Sequence, residues 1–124
     1  SIEGLSVLLV EDNELNMEIA KFIIENEGAN VTCATNGKEA VDIYKKSPEF
    51  FDIILMDIMM PEMDGLQATQ FIRSFDQDIP IVAMTANAFT EDKIKAKKAG
   101  MNAHLSKPLD RDRLIRVVAK LCKK

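Results

Sequence analysis

The segment FDIILMDIMMPEMDG, residues 51–65, is the most informative stretch of the chain. Its four apolar residues 53–56 have the length and composition of a strand that is buried on both faces. The run ends in the carboxylate of Asp57, and Pro61, Asp64 and Gly65 follow it. The segment therefore predicts a carboxylate at the mouth of a buried strand.

A second segment repeats this pattern near the start of the chain. Residues 6–10 form an apolar run that ends in Glu11 and Asp12, so we expect three acids at the carboxyl ends of two strands. A single Asp at the end of a strand is about as often a cap or turn residue as a functional one. That explanation is poor for three acids together. Like charges this close repel unless a positive charge lies between them. Carboxylate oxygens suit a hard divalent cation, and such a cation suits a phosphoryl group.

Length and composition indicate one domain, residues 1–124, with a single core and 47% apolar residues. No apolar stretch approaches the ~20 residues that a membrane span needs, and no signal-peptide pattern opens the chain. We therefore expect a cytoplasmic domain, and the initial Ser1 suggests a piece of a longer protein. Cys33 and Cys122 form no spaced cluster, so we expect thiols rather than a disulfide.

The net charge of -4 is unevenly distributed along the chain. Residues 1–92 hold 5 basic and 18 acidic residues, a net charge of -13, whereas residues 93–124 hold 11 basic and 2 acidic residues, a net charge of +9. The lysines between positions 93 and 98 follow a helical pattern without interleaved aromatic residues. This pattern favours a solvated helix face or a docking surface for an acidic partner, and we expect no direct contact with nucleic acid or a membrane.

Apolar runs of strand length alternate with amphipathic stretches along the whole chain. The predicted strands are residues 6–10, 31–34, 53–56, 81–84 and 103–105. The predicted helices are residues 16–26, 38–46, 66–75, 91–99 and 111–121. This alternation predicts an α/β fold, a flavodoxin-like doubly wound five-stranded parallel sheet in the order 2-1-3-4-5 with helices on both faces. Ligands of such sheets bind outside the carboxyl ends of strands one and three.

The first and last predicted helices each carry an apolar face at the helical period, which we expect to be buried. In the first helix this face comprises Leu15, Ile19, Phe22 and Ile23. In the last helix it comprises Leu114, Val117, Val118 and Leu121. Gly28 and Gly100 follow the first and fourth helices, where a left-handed residue often ends a helix.

Thr85 and Lys107 end the fourth and fifth predicted strands at the same edge of the sheet. Alone, each is unremarkable, since a Thr before a loop is usually a turn residue and a Lys after a short strand is usually solvated. Together with the acids they supply a metal cage, a hydroxyl donor and a cation at one crevice, which are the groups that neutralise a phosphoryl group.

Four motifs on this frame resemble the receiver domain of two-component response regulators. They are VEDN at residues 10–13, MDIMMP at 56–61 with DG at 64–65, MTA at 84–86 and KP at 107–108. The likeness runs over nearly all 124 residues. It implies that Asp57 accepts a phosphoryl group from a phosphohistidine on a histidine kinase or a histidine phosphotransfer domain.

The resemblance also implies a ligand set and a chemical mechanism. Asp57 would be the nucleophile that forms an acyl phosphate, with Mg²⁺ bridging it to the incoming group. Asp12, Asp57 and the backbone carbonyl of Met59 would bind the metal, and Glu11 would act through water. Phosphorylation would then change the surface formed by helix 4, strand 5 and helix 5.

By the same resemblance, Lys107 pairs with the phosphoryl group and Thr85 rotates its hydroxyl toward it. We also expect the bond between Lys107 and Pro108 to be cis. Family members usually carry Tyr or Phe three residues before this lysine, as a ring that moves on activation. Here that position holds His104, the single histidine, so its role as a switch is left open.

The methionines after Asp57 require their own interpretation. We expect the side chains of Met59, Met60 and Met63 to pack in an apolar loop rather than to form a thioether metal site. In receivers, residues at the positions of Met59 and Asn87 affect how fast the phosphoryl group hydrolyses.

Two functions from other classes compete with this interpretation. An aspartyl phosphohydrolase carries a second Asp two residues after its nucleophile, and Met59 occupies that place here, so we expect negligible turnover of small phosphate esters. A receiver-like scaffold would bind partners without phosphorylation. The presence of every expected site residue argues against this function.

The motifs at residues 85–89 and 99–109 look most like those of receivers attached to hybrid sensor kinases. In that context the parent protein can be membrane-anchored. A single-domain regulator, or a receiver joined to a downstream output domain, remains open.

Overall fold

The computed structural model describes residues 1–60, 63–86 and 90–122, in which five strands alternate with five helices. The strands are β1 Ser6–Val10, β2 Asn30–Ala34, β3 Ile53–Asp57, β4 Ile81–Thr85 and β5 Ala103–Ser106. The helices are α1 Glu14–Asn26, α2 Gly37–Lys46, α3 Gly65–Arg73, α4 Thr90–Ala99 and α5 Arg111–Leu121. The predicted alternation is confirmed, and the predicted boundaries differ from these by at most two residues.

All strands are parallel, and their order in the sheet is β2-β1-β3-β4-β5, as predicted. Val10 is paired with Met56 across β1 and β3, and Thr85 with Ser106 across β4 and β5. The carboxyl ends of the strands therefore meet at one edge. The chain changes direction between β1 and β3, so that a crevice opens at this edge.

The sheet is covered on both faces, since each face has its own apolar cluster. One cluster includes Leu8 and Val10 of β1, and the other includes Val7 and Leu9, because successive strand residues point to opposite faces. Helices α2, α3 and α4 cover the first face, and α1 and α5 cover the second. Strands β3 and β4 are buried along their whole length, which explains their continuous apolar sequences.

The predicted buried face of α1 is wrong. Leu15 is 68%, Ile19 47% and Phe22 67% exposed. The buried residues are instead Met17, Ala20 and Ile24, while Ile23 is partly buried against the core. Helix α1 carries two apolar stripes at the helical period, and a helix lying on a sheet buries only one of them. The stripe that includes the small Ala20 lies on the sheet.

For α5 the prediction is confirmed. Leu114 and Val118 are buried, and Val117 and Leu121 pack partly buried against the same cluster. Here a single apolar stripe is available, because charged residues occupy the rest of the helix surface. The buried face is predicted correctly for α5 and wrongly for α1 because α5 has one apolar stripe and α1 has two.

The C-terminal end of α4 is fastened to α3 by Arg73. Its Nε donates to the Gly100 carbonyl oxygen at 2.9 Å, and its Nη2 donates to Asn102 Oδ1 at 3.0 Å. Asn102 Oδ1 also accepts from the Ile81 backbone N–H at 2.9 Å. Gly100 has the predicted left-handed conformation, with φ of 109°, and a Cβ there would lie 2.8 Å from Arg73 Cγ. These bonds join the ends of α3 and α4 to the starts of β4 and β5.

Two further expectations concern the cysteines and the membrane. No disulfide joins Cys33 to Cys122, as predicted, and both side chains are partly buried. Over the described ranges, none of the helices combines the length and the apolar character that crossing a bilayer requires.

Candidate functional site

Three carboxylates converge at the carboxyl edge of the sheet. One carboxylate oxygen from each of Glu11, Asp12 and Asp57 lies within 4.8 Å of the others. Glu11 and Asp57 are buried, whereas Asp12 is exposed. The predicted acids are therefore brought together because β1 and β3 are adjacent and both end here. An all-oxygen donor set of this size fits a hard divalent cation.

Lys107 lies between two of these acids. Its Nζ is 2.7 Å from Glu11 Oε1 and 2.9 Å from Asp57 Oδ2. The formal charges of three carboxylates and one ammonium sum to -2, which a divalent cation balances. The sequence predicted Lys107 at this edge but not its contact with Glu11, since β1 and β5 are separated by two strands.

Burial and neighbouring charges shift the pKa values of Glu11 and Lys107. Burial raises the pKa of Glu11 above its ordinary value, and the neighbouring Asp57 carboxylate raises it further. Burial alone would lower the pKa of Lys107, but its hydrogen bonds to Glu11 and Asp57 outweigh burial and raise it. The lysine is therefore held in its charged form beside the acids.

Backbone N–H groups orient the two buried carboxylates. The Met59 N–H donates to Asp57 Oδ1 at 3.2 Å, and the Asn13 N–H donates to Glu11 Oε2 at 3.2 Å. Because the Met59 backbone turns toward Asp57, its side chain turns outward and is 75% exposed, so its predicted packing is wrong. Met60 and Met63 pack partly buried against the core, as predicted.

Gly65 allows α3 to begin directly beside Asp57. A Cβ at Gly65 would lie 2.2 Å from the Asp57 carbonyl oxygen, which no other residue type tolerates without rearrangement. The Gly65 N–H donates to the Ile58 carbonyl oxygen at 2.9 Å, and Asp64 caps α3 through a capping box with Gln67. The Asp-Gly pair seen in the sequence therefore shapes the loop that carries Asp57.

Thr85 stands on the other side of Asp57, at the end of β4. Its hydroxyl oxygen is buried and has no hydrogen-bond partner among the described residues. The Lys107 N–H donates to the Thr85 carbonyl oxygen at 2.8 Å, and the bond between Lys107 and Pro108 is cis, as expected. The orphaned hydroxyl can accept or donate one bond to an incoming group.

A cavity of about 500 Å³ opens next to Thr85. Among the described residues it is lined by Ile58, Met59, Thr85, Ala86 and Asp92. Asp92 lies in the first turn of α4 and was not identified from the sequence, where it is one of many charged residues on a polar helix. The predicted residues Pro61, Asn87 and Phe89 lie outside the described ranges, as does the side chain of Thr90.

His104 lies apart from the acids, on β5 and against the basic helix α4. It borders a cavity of about 430 Å³ together with Lys93, Lys97 and Asn102, among others. Partial burial lowers the pKa of His104 below its ordinary value, and the charges of Lys93 and Arg113 lower it further. The histidine therefore belongs to the surface of α4 and β5.

The exposed stripe of α1 adjoins the acidic site. A small pocket of about 40 Å³ is lined by Glu11, Asn16, Ile19, Lys107, Pro108 and Leu109. Ile19 of the stripe and Leu109 after β5 thus flank the same entrance. The apolar surface and the acids can be contacted by a single partner.

The sequence matches the family model of the response regulator receiver domain over residues 7–119. It is 41% identical over 120 residues to hybrid signal transduction histidine kinase M of Dictyostelium discoideum, a match that covers 93% of this chain and 5% of that protein. The chain spans between 5 and 19% of the length of this kinase and four other curated relatives.

Two solved structures are similar over nearly the whole chain. One is the receiver domain of sensor histidine kinase PA1611 from Pseudomonas aeruginosa, with a magnesium ion coordinated in its active site cleft. It has a TM-score of 0.90 and 36% identity, and the match covers 98% of this chain and 99% of that one. The other is the receiver domain of Ssk1 in a complex with the histidine phosphotransfer signaling protein Ypd1 from Saccharomyces cerevisiae. That match has a TM-score of 0.88 and 30% identity, and covers 96% of this chain and 89% of that one.

Proposed function

The chain belongs to the response regulator receiver family, and we propose that it is a phosphorelay receiver whose Asp57 accepts a phosphoryl group from a phosphohistidine. The observation that carries this proposal is the buried Asp57 carboxylate, which is paired with Lys107 and lies within 4.8 Å of two further acids at the crevice of the sheet. A buried acid that is positioned this closely is suited to act as a nucleophile toward phosphorus.

The chain's own residues account for most of the transfer step. An Asp57 oxygen attacks phosphorus, the phosphorus–nitrogen bond of the donor breaks, and the electron pair stays on the imidazole. The Lys107 ammonium, already 2.9 Å from Asp57 Oδ2, moves its hydrogen bond to a phosphoryl oxygen. The buried Thr85 hydroxyl donates to another phosphoryl oxygen and so gains its missing partner.

The acid cluster fits Mg²⁺, because all of its side-chain donors are oxygens and they lie within 4.8 Å of one another. We assign Asp12, Asp57 and the Met59 backbone carbonyl as ligands, and Glu11 as a residue that acts on the metal through water. When bound, the metal would neutralise charge on the transferring phosphoryl group. The magnesium seen in the similar Pseudomonas aeruginosa receiver supports this assignment.

The proposed output is a change in the surface of α4, β5 and α5. Thr85 ends β4 directly before the connection to α4, so a new bond from its hydroxyl to the phosphoryl group pulls on that connection. The affected surface carries the basic residues of the last quarter of the chain and His104.

The proposed donor is a histidine kinase or a histidine phosphotransfer domain that docks on α1. Leu15, Ile19 and Phe22 form an exposed apolar stripe beside the entrance to the site. Such a stripe suits packing by an amphipathic helix, which would place its histidine over Asp57. The complex of Ssk1 with a histidine phosphotransfer protein supports this type of partner. A hybrid histidine kinase is the proposed parent, with a stand-alone regulator as the alternative.

The test is phosphorylation by acetyl phosphate, with and without Mg²⁺, followed by intact-mass measurement. We expect one phosphate adduct that depends on magnesium and is absent in Asp57→Asn. The matched control is Asp42→Asn, which removes an exposed carboxylate on α2 and should be labelled like the wild type. A folded wild type that binds magnesium without forming an adduct would favour the scaffold function. An adduct that persists in Asp57→Asn would move the acceptor to another residue.

A further inference from the structure

We propose that Asp92 binds the imidazole of the phosphohistidine donor as it departs, in the cavity that lies between the β3–α3 loop and the first turn of α4. This inference rests on the proposed function, since it assigns the residue that recognises the donor's leaving group. Asp92 lies outside the acid cluster of Glu11, Asp12 and Asp57, which serves the phosphoryl group itself.

The cavity has room for a small, partly apolar ring. Its volume of about 500 Å³ lies within the range of roughly 300–1,000 Å³ that is common for small-molecule sites. Ile58, Met59 and Ala86 give it apolar walls, while Thr85 and Asp92 are its polar residues within the described ranges. An imidazole ring has apolar faces and two nitrogens at its edge, and thus matches this combination.

Two of the residues that line the cavity connect it to the region of the nucleophile. Met59, which forms one wall, donates its backbone N–H to Asp57 Oδ1 at 3.2 Å. Thr85, which forms another wall, has a buried hydroxyl that lacks a partner within the described residues. A group that enters the cavity therefore lies beside Met59, the residue whose N–H contacts Asp57, and shares the cavity with Asp92.

Asp92 is available for such a contact. It is half-buried, and within the described ranges it takes part in no hydrogen bond or ion pair. The Lys107 ammonium, by contrast, already contacts both Glu11 and Asp57. A half-buried carboxylate without a partner is complementary to a cationic ring.

The chemical step balances without any further reactant. In the donor, one ring nitrogen carries the phosphoryl group, and the other carries a proton and donates a hydrogen bond from this N–H to the Asp92 carboxylate. The phosphorus–nitrogen bond breaks, its electron pair stays on the nitrogen, and phosphorus forms a bond to an Asp57 oxygen. The ring leaves as neutral imidazole and keeps the N–H that faces Asp92. The carboxylate favours the protonated ring, which is the better leaving group.

Two small donors separate this role from a general effect on the site. Phosphoimidazole has the same leaving group as phosphohistidine, whereas acetyl phosphate releases acetate, which has no N–H to donate. Rates of Asp57 phosphorylation are to be measured with both donors and Mg²⁺ for the wild type, Asp92→Asn and Glu91→Gln. Glu91 is the matched control, because it is an exposed acid in the same turn of α4 and is not among the residues that line the cavity.

We expect Asp92→Asn to react about tenfold more slowly with phosphoimidazole, equivalent to ~1.4 kcal/mol, and to react with acetyl phosphate as fast as the wild type or faster. Glu91→Gln should match the wild type with both donors. Equal slowing with both donors, no slowing with phosphoimidazole, or the same slowing in Glu91→Gln would overturn the role of Asp92. If neither donor labels the wild type, the proposed function itself fails and this inference fails with it.

Discussion

At the scale of single residues, His104 is the position where this chain departs most clearly from the receiver pattern. It is the only histidine, it lies on β5, and three cationic side chains act on it or share its cavity: Lys93, Lys97 and Arg113. Partial burial, followed by the charges of Lys93 and Arg113, lowers its pKa below the ordinary value of 6.5. A neutral imidazole is therefore favoured in the folded chain at neutral pH.

This lowered pKa predicts a pH dependence of stability. Between the folded pKa of His104 and 6.5, the unfolded chain binds more protons at this position than the folded chain does. The free energy of unfolding therefore falls as the pH falls through that window. His104→Asn should remove this part of the dependence, as measured by urea unfolding at several pH values between 5 and 7.5.

The same prediction can be checked directly by NMR, because a single histidine gives one resolved imidazole titration. We expect a midpoint below 6.5 in the wild type and a higher midpoint in Lys93→Gln, which removes one of the two charges. A midpoint at or above 6.5 would contradict the described environment of the ring.

At the scale of secondary structure elements, α1 and α5 show where a periodic pattern is sufficient and where it is not. Helix α5 has one apolar stripe, so the pattern alone selects the buried residues correctly. Helix α1 has two stripes, and only contact with the sheet determines that Met17, Ala20 and Ile24 are buried. The stripe left outside adjoins the site, and it is the surface on which we propose that the donor docks.

A pair of substitutions in α1 tests this assignment. Ile24→Ala should lower the free energy of unfolding by about 2–4 kcal/mol, because it leaves a cavity in the core. Phe22→Ser should change it by no more than about 0.5 kcal/mol, because that side chain is 67% exposed. Chemical denaturation of both variants measures the two losses in free energy of unfolding. If Phe22→Ser cost more than Ile24→Ala, the buried face predicted from the sequence would be correct instead.

At the scale of the whole molecule, the fold follows from the alternation of apolar and amphipathic stretches, which admits few other topologies. The acids were predictable as a cluster because each ends a strand of the central pair. The contact of Lys107 with Glu11 was not predictable, because it spans two intervening strands and depends on the length of the lysine side chain. Asp92 was not predictable, because it is one of several charged residues on α4, whose buried residues include the small Ala96 and Ala99.

The charge of the site predicts how the whole domain responds to magnesium. A ligand that binds only the folded chain stabilises it by about 1.4 kcal/mol at ten times its dissociation constant, which raises the Tm of a domain this size by roughly 5 °C. We expect this rise with MgCl2 but not with NaCl of equal ionic strength. Asp12→Asn should show a much smaller rise, and Asp42→Asn the full one. An equal rise in Asp12→Asn would remove Asp12 from the ligand set.

The three hydrogen bonds around Arg73 and Asn102 fasten the C-terminal end of α4 to the end of α3 and the start of β4. The fixed end lies at Gly100, far along the helix from Thr85, while the first turn with Asp92 follows the connection that Thr85 begins. If phosphorylation moves Thr85 as proposed, we expect α4 to pivot about its fastened end, with the largest displacement in the first turn and the smallest at Gly100. We expect partners that sense phosphorylation to bind the N-terminal half of α4. The C-terminal half should have the same conformation in the phosphorylated and unphosphorylated states.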